Sequence, residues 1–494
     1  MIPQLKPYPQ YKPSGIEWLG DVPEHWEIRK IRKSVKTCIN GIWGNDADGK
    51  NDMICIRVAD FDRNLGYVNI KNPTLRSIPL NNIKHNLLQQ GDLLLEKSGG
   101  GDRQPVGMVV IYNHQFKAVC SNFIARLPVS IGYNPYFLNF LHRMLYSIGL
   151  NIRSIKQTTG LQNLNTKSYL SELVAFPPLS EQNAIAKFLK CYDSRITRLI
   201  NNRQKLISLL NEQKQAIINQ YVTGKIDART GKPYARYKPS GIEWLGDVPE
   251  HWEIAKFSKS IRNIESGTRE NFNGNSLNGI PSLGGEHIGK DGKLILKNLK
   301  YVSILYFEKL NKGIIKENDI LLVKDGATIG KVALIKKLPF NKCAVNEHIF
   351  VLRANEKCIP EFLYYAIKNE QFQNEIWKIV TGSAQPGLNS DFIKKISIPF
   401  PLLSEQNAIV EYLNNKIANF DSAIDSFNLE ISLLREYRTR LIADVVTGKL
   451  DVRDVASKLP DIEEVEEEIT ANLAEEAMET EEITENRGEA YANE

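Results

Sequence analysis

Pro178-Leu-Ser-Glu-Gln-Asn-Ala-Ile185 opens a long helical pattern, and Val222-Thr-Gly-Lys225 closes it. The chain contains this arrangement twice, because Leu402-Leu-Ser-Glu-Gln-Asn-Ala-Ile409 opens a second pattern and Val446-Thr-Gly-Lys449 closes that one. Both ends are displaced by 224 residues, from 178 to 402 and from 222 to 446, so the two predicted helices are equal in length. At 1.5 Å per residue, roughly 43 residues predict a rod of about 64 Å. A duplicated rod of fixed length indicates a spacer with a domain mounted on each end.

The ends and the faces of these helices predict how they are used. Ser180 and Ser404 are N-cap candidates, while Gly224 and Gly448 stand where a left-handed C-terminal cap is needed. Apolar residues recur every three or four positions in a narrow stripe on both helices, which is typical of coiled-coil partners. We therefore expect an antiparallel pair with pseudo-twofold symmetry and one domain at each end. The alternative is two independent helices, each lying on its own domain.

A second duplication precedes each domain. Lys6 to Ile28 and Lys232 to Ile254 differ at only two of 23 positions. This block is rich in Pro, Gly, Trp and Tyr, which favours a rigid non-helical segment that packs or docks on a neighbour. The chain begins, in register, where the second long helix ends, so we expect the two ends to lie close together in an effectively cyclic molecule.

The segments between the repeated blocks, residues 29–176 and 255–400, are similar in length but match only in patches. Gly91-Asp-Leu-Leu-Leu95 resembles Asn318-Asp-Ile-Leu-Leu322, and Asn122-Phe-Ile-Ala-Arg-Leu127 matches Glu347-His-Ile-Phe-Val-Leu352. Short β-branched runs separated by Gly and Asn or Asp predict mostly antiparallel strands with a few helices. The predicted fold class is α+β, with two mostly-β domains that are each followed by a long helix.

Composition and charge limit the possible functions. The six cysteines are scattered without a CxxC pair, and no apolar run approaches a membrane span, which favours reduced thiols in a cytoplasmic protein. Residues 461–494 carry a net charge of −13, so the whole-chain charge of +5 leaves +18 on residues 1–460. A body this basic is typical of a protein that binds polyanions, although a solvated surface balanced by an acidic tail is the alternative.

The sequence contains only incomplete matches to known catalytic motifs. Gly326-Ala-Thr-Ile-Gly-Lys-Val332 resembles a phosphate-binding loop, but its glycines are one residue too close and Val332 replaces the Ser or Thr that would hold Mg²⁺. No HExxH pattern is present, and no histidine lies near another in the sequence. We therefore predict that the chain is not catalytic by itself.

The helix entries PPLSEQ and PLLSEQ, the VTGK exits, the SGIEWLGDVPEHWE blocks and the strands GDLLL and NDILL together resemble the specificity subunit of type I restriction–modification systems. The resemblance covers nearly all of residues 1–455, in duplicate, and the acidic tail lies outside it. It implies that two target-recognition domains each read one half of a bipartite, asymmetric site in double-stranded DNA. It also implies that the repeated regions form the helical spacer and dock two methylation (M) subunits, with restriction (R) subunits completing the complex. S-adenosylmethionine, ATP and Mg²⁺ then belong to the partner subunits, and no cofactor or metal is bound by this chain.

The resemblance and the repeats together predict seven segments. These are an N-terminal repeated block (1–28), a first target-recognition domain (29–178), a central helix (179–224), a linker with the second block (225–254), a second target-recognition domain (255–402), a distal helix (403–448) and a C-terminal segment with the acidic tail (449–494).

Sequence readout requires Arg, Lys, Asn and Gln at groove edges, together with cations on phosphates. The predicted DNA-contacting residues lie in loops after the central strands and in turns before the exit strands: Lys97, Ser98, Arg103, Gln104 and Gln162 in the first domain, and Lys324, Asp325, Lys331 and Gln385 in the second. The predicted partner-docking residues are Trp18, Trp26, Trp244 and Trp252. The alternative function is a non-catalytic coiled-coil adaptor with non-specific DNA binding.

Overall fold

The computed structural model describes residues 5–158, 160–269, 279–382 and 386–461, so Gln385 and nearly all of the acidic tail lie outside the described residues. The chain divides into unit 1, Met1–Arg203 with Leu429–Glu494, and unit 2, Gln204–Asn428. The division falls within two helices of 44 residues each, the central helix Leu179–Val222 and the distal helix Leu403–Val446.

Unit 1 mixes short strands with helices. Its described strands are Tyr11–Pro13, Asp21–Pro23, Glu27–Lys30, Ile39–Asn40, Asn45–Asp46, Asp52–Ile56, Phe61–Asp62, Tyr67–Val68, Leu75–Ser77, Leu93–Glu96, Ser98–Gly99, Val109–Ile111, Ala118–Cys120, Ile124–Leu127, Ile155–Thr158, Leu161–Leu164 and Leu173–Phe176. Besides the two long helices, its α-helices are Leu80–Asn86, Pro135–Ser147, Thr166–Tyr169 and Arg453–Ala456. The buried strand Leu93–Glu96 pairs antiparallel with Val109–Ile111 on one side and Ile124–Leu127 on the other.

Unit 2 repeats this plan with fewer strands in its main sheet. Its described strands are Tyr237–Pro239, Asp247–Pro249, Glu253–Lys256, Ile261–Ser266, Gly279–Leu283, Lys300–Ser303, Ile320–Val323, Val332–Leu334, Ala344–Val345, Ile349–Ala354 and Ser397–Phe400. Its shorter α-helices are Ile304–Glu308, Pro360–Lys368, Glu370–Ile379 and Phe392–Lys395. The buried strand Ile320–Val323 again lies between two antiparallel partners, Val332–Leu334 and Ile349–Ala354. The predicted mixture of helix and mostly antiparallel sheet is therefore observed in both units.

Each repeated block is joined to the end of its own domain by a two-stranded ladder. In unit 1 the exit strand Leu173–Phe176 pairs antiparallel with Glu27–Lys30. In unit 2 Ser397–Phe400 pairs with Glu253–Lys256 in the same way. Because the block and the exit strand are hydrogen-bonded, the start of the following long helix is held against the block.

A buried glutamate in the first turn of the central helix organises unit 1. Glu181 is 5% exposed and accepts hydrogen bonds from the Tyr8 hydroxyl at 2.5 Å and the Trp26 indole N–H at 2.8 Å. The His25 Nε2 atom lies 2.8 Å from its other oxygen. Burial and the hydrogen bond to Glu181 raise the pKa of Tyr8, so the tyrosine remains a neutral donor.

Glu405 has the same position in unit 2, where it is 2% exposed. Tyr234 donates to its Oε1 at 3.1 Å, and the His251 Nε2 atom lies 3.0 Å from Oε2. Arg229 adds an ion pair at 3.2 Å. The equivalent arginine of unit 1, Arg453, lies over the Tyr8 ring at 5.2 Å.

The glutamine after each glutamate connects the long helix to its domain. Gln182 accepts from the backbone N–H of Asn134, the N-cap of helix Pro135–Ser147, and donates to the carbonyl of Pro177. Gln406 accepts from the N–H of Ile359, the N-cap of helix Pro360–Lys368, and donates to Pro401. In each unit the glutamate therefore binds the repeated block, and the glutamine after it binds the domain.

The glycines that end the long helices complete the two nodes. Gly224 and Gly448 have φ values of +75° and +77°, as expected for left-handed caps. A Cβ on Gly448 would lie 2.4 Å from Pro23 Cδ, and one on Gly224 would lie 2.5 Å from Pro249 Cδ. Each block thus packs against the start of one long helix and the end of the other within its unit.

The two long helices contact each other within each unit. In unit 1, Asp193 lies 3.9 Å from Arg438 and Arg203 lies 2.7 Å from Glu430. In unit 2, Lys214 lies 2.5 Å from Asp421. The rings of Tyr221 and Tyr412 are also 4.3 Å apart there. In both units, residue numbers that increase along the central helix are paired with numbers that decrease along the distal helix. The two helices therefore run antiparallel within each unit.

The predicted N-caps are wrong by a short distance. The helices begin at Leu179 and Leu403, and the carbonyl of Pro178 accepts the first helical hydrogen bond, from the N–H of Gln182. Ser180 and Ser404 therefore lie inside the first turn. Among the described residues, no helix is long and apolar enough to cross a membrane. All six cysteines are free thiols.

We predict that Gly448→Ala destabilises unit 1 more than Gly15→Ala does. Both positions have positive φ, so each alanine adds left-handed strain of about 1–2 kcal/mol. Only Gly448 also brings a clash with Pro23, since no atom lies within 4 Å of a Cβ on Gly15. The clash adds about 1–3 kcal/mol, or several degrees in the unfolding temperature measured by calorimetry. Equal shifts for the two variants would contradict the close packing of Gly448.

Candidate nucleic-acid interface

Lys97 and Ser98 follow the buried strand Leu93–Glu96 and are both half-buried. The Lys97 ammonium donates to Asn40 Oδ1 at 2.9 Å, and the Ser98 hydroxyl donates to Asn163 Oδ1 at 2.7 Å. These two hydrogen bonds orient the Lys97 and Ser98 side chains beside the amide groups of Asn40 and Asn163. The arrangement can present donors and acceptors to a base edge or a phosphate.

Arg103 and Gln104 are exposed in a tight turn. Gly101 and Gln104 exchange backbone hydrogen bonds at 3.0 Å across it, which fixes the turn beneath the two side chains. Gln162, in contrast, is 6% exposed, and its amide oxygen lies 3.3 Å from the Val106 N–H. The amide oxygen of Gln162 already accepts a hydrogen bond inside the domain. The side chain would have to become exposed before it could contact a base.

A cavity of about 400 Å³ opens beside Ser98, and sequence reasoning missed most of the residues that line it. Trp43 and Phe123 contribute aromatic faces that are 37% and 43% exposed. Arg57 and Asn122 contribute polar groups. Exposed aromatic faces beside such groups are suited to apolar contact with base edges in a groove of double-stranded DNA. The available signal was the alignment of Asn122-Phe123 with Glu347-His348, which marks a divergent position next to a matched strand.

A buried ion pair supports the floor of this cavity. Glu96 is wholly buried, and both of its oxygens lie 2.8 Å from Arg63 Nη2. Burial raises the pKa of Glu96 above its ordinary value, and the charge of Arg63 opposes part of that rise. The matching position in unit 2 is Val323, so this pair is particular to unit 1.

The predicted residues of unit 2 lie after its own central strand. Lys324 lies over the Phe350 ring at 5.3 Å and its ammonium is 3.5 Å from Asp325. The His348 Nδ1 atom is 3.2 Å from Asp325, which was not predicted to have such a partner. Lys331 is half-buried, and its carbonyl accepts from the Val323 N–H at 2.9 Å. Gln385 lies outside the described residues.

The two surfaces have the same backbone but different side chains. The Lys97 N–H donates to the Phe123 carbonyl at 2.9 Å, and the Lys324 N–H donates to the His348 carbonyl at the same distance. Phe123 and His348 thus have equivalent places. One scaffold therefore presents an aromatic ring in unit 1 and a titratable ring beside a carboxylate in unit 2.

The four tryptophans predicted to dock a partner fall into two pairs. Trp26 and Trp252 are fully buried in the cores of their units and have no surface to offer a partner in this conformation. They pack the blocks onto the long helices instead. Trp18 and Trp244 are half-buried, so their rings remain accessible.

The part of the chain that the structure describes contains no group of three or more His, Cys, Asp or Glu side chains that could hold a metal ion.

Comparison with known proteins defines the class. Residues 50–209 and 245–425 match the family model described as "Type I restriction modification DNA specificity domain". The chain therefore belongs to this family. It is 26% identical over 318 residues to the type I restriction enzyme MjaVIII specificity subunit of Methanocaldococcus jannaschii, covering 63% of this chain and 71% of that protein.

A longer match extends over most of the chain. The type I restriction enzyme EcoKI specificity subunit of Escherichia coli K12 is 21% identical over 448 residues, covering 87% of this chain and 90% of that protein. A solved structure described as "Structural basis underlying complex assembly and conformational transition of the type I R-M system" has a TM-score of 0.61 at 15% identity. It covers 86% of this chain and 98% of that chain, which shows a shared fold.

We predict that Arg63→Met destabilises unit 1 strongly at neutral pH and less in acid. The substitution leaves Glu96 buried without its partner, at a cost of about 3–5 kcal/mol. Because the folded pKa of this carboxyl is raised, the folded state holds the proton more tightly, so the loss grows as pH rises above the ordinary carboxyl range. Unfolding temperatures at pH 5 and pH 7.5, measured against the wild type, test this.

The double variant Arg63→Met with Glu96→Val is the control. It replaces the pair by apolar groups, as Val323 does in unit 2, and should recover most of the stability lost at pH 7.5. A single variant whose loss does not depend on pH would contradict the role assigned to Glu96.

Proposed function

We propose that this chain is the sequence-specific DNA-recognition subunit of a type I restriction–modification complex. The observation that carries the proposal is the match of a DNA-specificity family model to each half separately, at residues 50–209 and 245–425. The relatives over most of the length are named specificity subunits of type I restriction enzymes. The adaptor alternative, which would not read sequence, is not favoured by these relatives.

Each domain is proposed to read one half of a bipartite, asymmetric site in double-stranded DNA. The support is the divergence of side chains at matched places, with Ser98 and Phe123 in unit 1 against Asp325 and His348 in unit 2. Base edges are distinguished by donor and acceptor patterns, so different side chains on one backbone recognise different bases. The two half-sites are therefore expected to differ in sequence.

Electrostatics supplies the sequence-independent part of binding. Residues 1–460 carry a net charge of +18, because the acidic tail holds −13 of the whole-chain +5. Lysines and arginines that neutralise phosphates release counterions, so affinity for DNA is expected to fall steeply with salt.

We place the two long helices together as an antiparallel coiled coil that sets the spacer between half-sites. The pairs Asp193 with Arg438 in unit 1 and Lys214 with Asp421 in unit 2 support this direction. At 1.5 Å per residue, 44 residues give a rod of about 66 Å. Equal helix lengths are consistent with a pseudo-twofold arrangement.

The proposed cyclic organisation is supported by matched contacts near the chain ends. In unit 2, the Asp227 N–H donates to the carbonyl of Lys232, after the central helix. In unit 1, the Asp451 N–H donates to the carbonyl of Lys6, after the distal helix. The N-terminal segment thus occupies the place that a continuing chain occupies in unit 2.

The proposed partners are double-stranded DNA, two methylation subunits and restriction subunits, in the cytoplasm. The accessible rings of Trp18 and Trp244, one on each repeated block, are candidates for contacts with two identical partners. We assign S-adenosylmethionine, ATP and Mg²⁺ to those partners and no catalytic step to this chain. The lack of a recognisable catalytic motif in the sequence supports this assignment.

Exchange of one domain tests the recognition proposal. Replacing residues 29–178 by the corresponding domain of another specificity subunit should change one half of the methylated site and leave the other half and the spacer intact. The matched control replaces residues 255–402 and should change the other half. Methylome sequencing of cells carrying each chimera gives both sites. A chimera that changes both halves, or neither, would refute the proposal.

Lengthening the helices tests the spacer. Four residues inserted at matched positions in both long helices add about 6 Å, close to two base pairs of duplex. The half-sites should keep their sequences while the spacer lengthens by one or two base pairs. An insertion into one helix alone should lower the stability of the pair, because the two apolar stripes lose their register. If the variant with both insertions is active and its spacer is unchanged, the proposal that the helices set the spacer length is refuted.

A further inference from the structure

A second cavity of unit 1, of about 210 Å³, lies between the first domain and the distal helix. Its lining contains four arginines, Arg63 and Arg143 from the domain and Arg435 and Arg438 from the helix. Ser147 and Thr439 also line it, and their hydroxyls donate to the backbone carbonyls of Met144 and Arg435. The charged side chains of this lining are all cationic, although none of the predicted DNA-contacting residues belongs to it.

Two of these arginines are buried and share one carboxylate. Arg143 lies 3.2 Å from Asp193, and Arg438 lies 3.9 Å from the same residue. The Arg143 side chain is 8% exposed and that of Arg438 is 10% exposed. A single carboxylate cannot neutralise two guanidinium groups, so this cluster keeps an excess positive charge in a poorly solvated place.

The remaining two arginines differ in their partners. Arg63 is neutralised by Glu96. Arg435 is exposed and forms no ion pair within the described part of the chain. Burial lowers the pKa of Arg438, and the charges of Arg143 and Arg435 lower it further against the attraction of Asp193 and Asp62. The four arginines of the lining thus face three carboxylates, those of Glu96, Asp193 and Asp62, which leaves one positive charge in excess.

We infer that this cavity binds one phosphate group. Guanidinium groups bind phosphate oxygens in forked, charge-assisted pairs. A volume of 210 Å³ corresponds to about seven water molecules, which accommodates a phosphate with some water but does not enclose a nucleotide. The phosphate comes either from free phosphate or from the backbone of bound DNA.

Unit 2 provides an internal comparison at the same helix positions. Arg438 minus the repeat of 224 is Lys214, and Arg143 on helix Pro135–Ser147 matches Lys368 on helix Pro360–Lys368. Lys214 pairs with Asp421, and Lys293 pairs with Asp425.

Lys368 donates to the backbone carbonyl of Asp291 and, at 3.0 Å, to the Tyr364 hydroxyl. The charges of Asp291 and Asp421 also act on this lysine. The three lysines of this region therefore face three aspartates, whereas the cavity of unit 1 is left with arginines in excess. We expect one phosphate site per chain, in unit 1.

The test uses the full-length chain with Arg435→Gln and Arg440→Gln as a matched pair. Arg435 lines the cavity, while Arg440 is on the same helix, is 79% exposed and does not line it. Both substitutions remove one exposed positive charge, so a general effect of charge would be equal in the two. Arg440 lies 3.7 Å from Asp444, but that carboxylate keeps a cationic neighbour in Lys449, at 3.5 Å, when Arg440 is replaced. Since Arg435 holds no ion pair within the described residues, its loss should not impair folding.

The first arm measures the unfolding temperature while inorganic phosphate replaces chloride at constant ionic strength. Phosphate should stabilise the wild type and Arg440→Gln, with binding about tenfold weaker in Arg435→Gln, the loss expected for one charge-assisted hydrogen bond. The second arm measures the salt dependence of binding to random-sequence double-stranded DNA. If the phosphate comes from DNA, the slope of log affinity against log salt should fall by about 0.9 in Arg435→Gln relative to Arg440→Gln.

A difference between the two variants in either arm supports the site and identifies the source of the phosphate. Equal behaviour of the two variants in both arms overturns the inference. The free-phosphate arm does not depend on DNA recognition, so its outcome is separate from that of the proposed function. A chain that binds phosphate but not DNA would retain this site and lose the proposed function.

Discussion

The fold of each unit depends on a carboxylate buried at the start of a long helix. Glu181 and Glu405 are nearly inaccessible to solvent, and burying an unpaired carboxylate costs several kcal/mol. Each is therefore tied to the tyrosine and histidine of its repeated block by hydrogen bonds that only one placement of the block can provide. The favourable end of the helix dipole lowers the cost further, since both residues lie in the first turn. The block is thus held by hydrogen bonds to a buried carboxylate as well as by the burial of its tryptophan.

This constraint explains why the scaffold is repeated almost unchanged while the domains differ. The glutamate fixes the block, the following glutamine fixes the first turn of a domain helix, and the glycine at the far end admits a proline at close range. Each of these positions tolerates few alternatives. The loops after the central strands are less constrained, because Lys97 and Lys324 are held there by backbone N–H hydrogen bonds that any residue except proline can make. Side chains on those loops can therefore differ between the two units without disturbing the frame.

The long helices and the α+β class could be predicted because their signals are local and periodic. The helix starts were misplaced because Ser180 suits an N-cap, whereas the carbonyl of Pro178 receives the first hydrogen bond. The sequence could not show whether Trp26 packs in the core or docks a partner, since an indole in a Pro- and Gly-rich segment fits a core or a surface equally well. Trp43 and Phe123 were missed because they are 80 residues apart in sequence and meet only through the sheet. Contacts of that kind leave no periodic signal in a single sequence.

Comparing the two units shows that divergence increases with distance from the helix ends. The carboxylate nodes at those ends share the same residue types. They differ in the contact of the arginine, which pairs with the glutamate in unit 2 and lies over a tyrosine ring in unit 1. Where the domains meet the helices, arginines in unit 1 replace lysines in unit 2 and the balance of charge changes. Below the predicted DNA-contacting loops, the buried Glu96 of unit 1 corresponds to the apolar Val323 of unit 2. Such changes leave the frame intact, because Arg143 pairs with Asp193 in the body of a long helix and Arg63 pairs with Glu96 inside the first domain. Neither pair includes a residue of the carboxylate nodes at the helix ends.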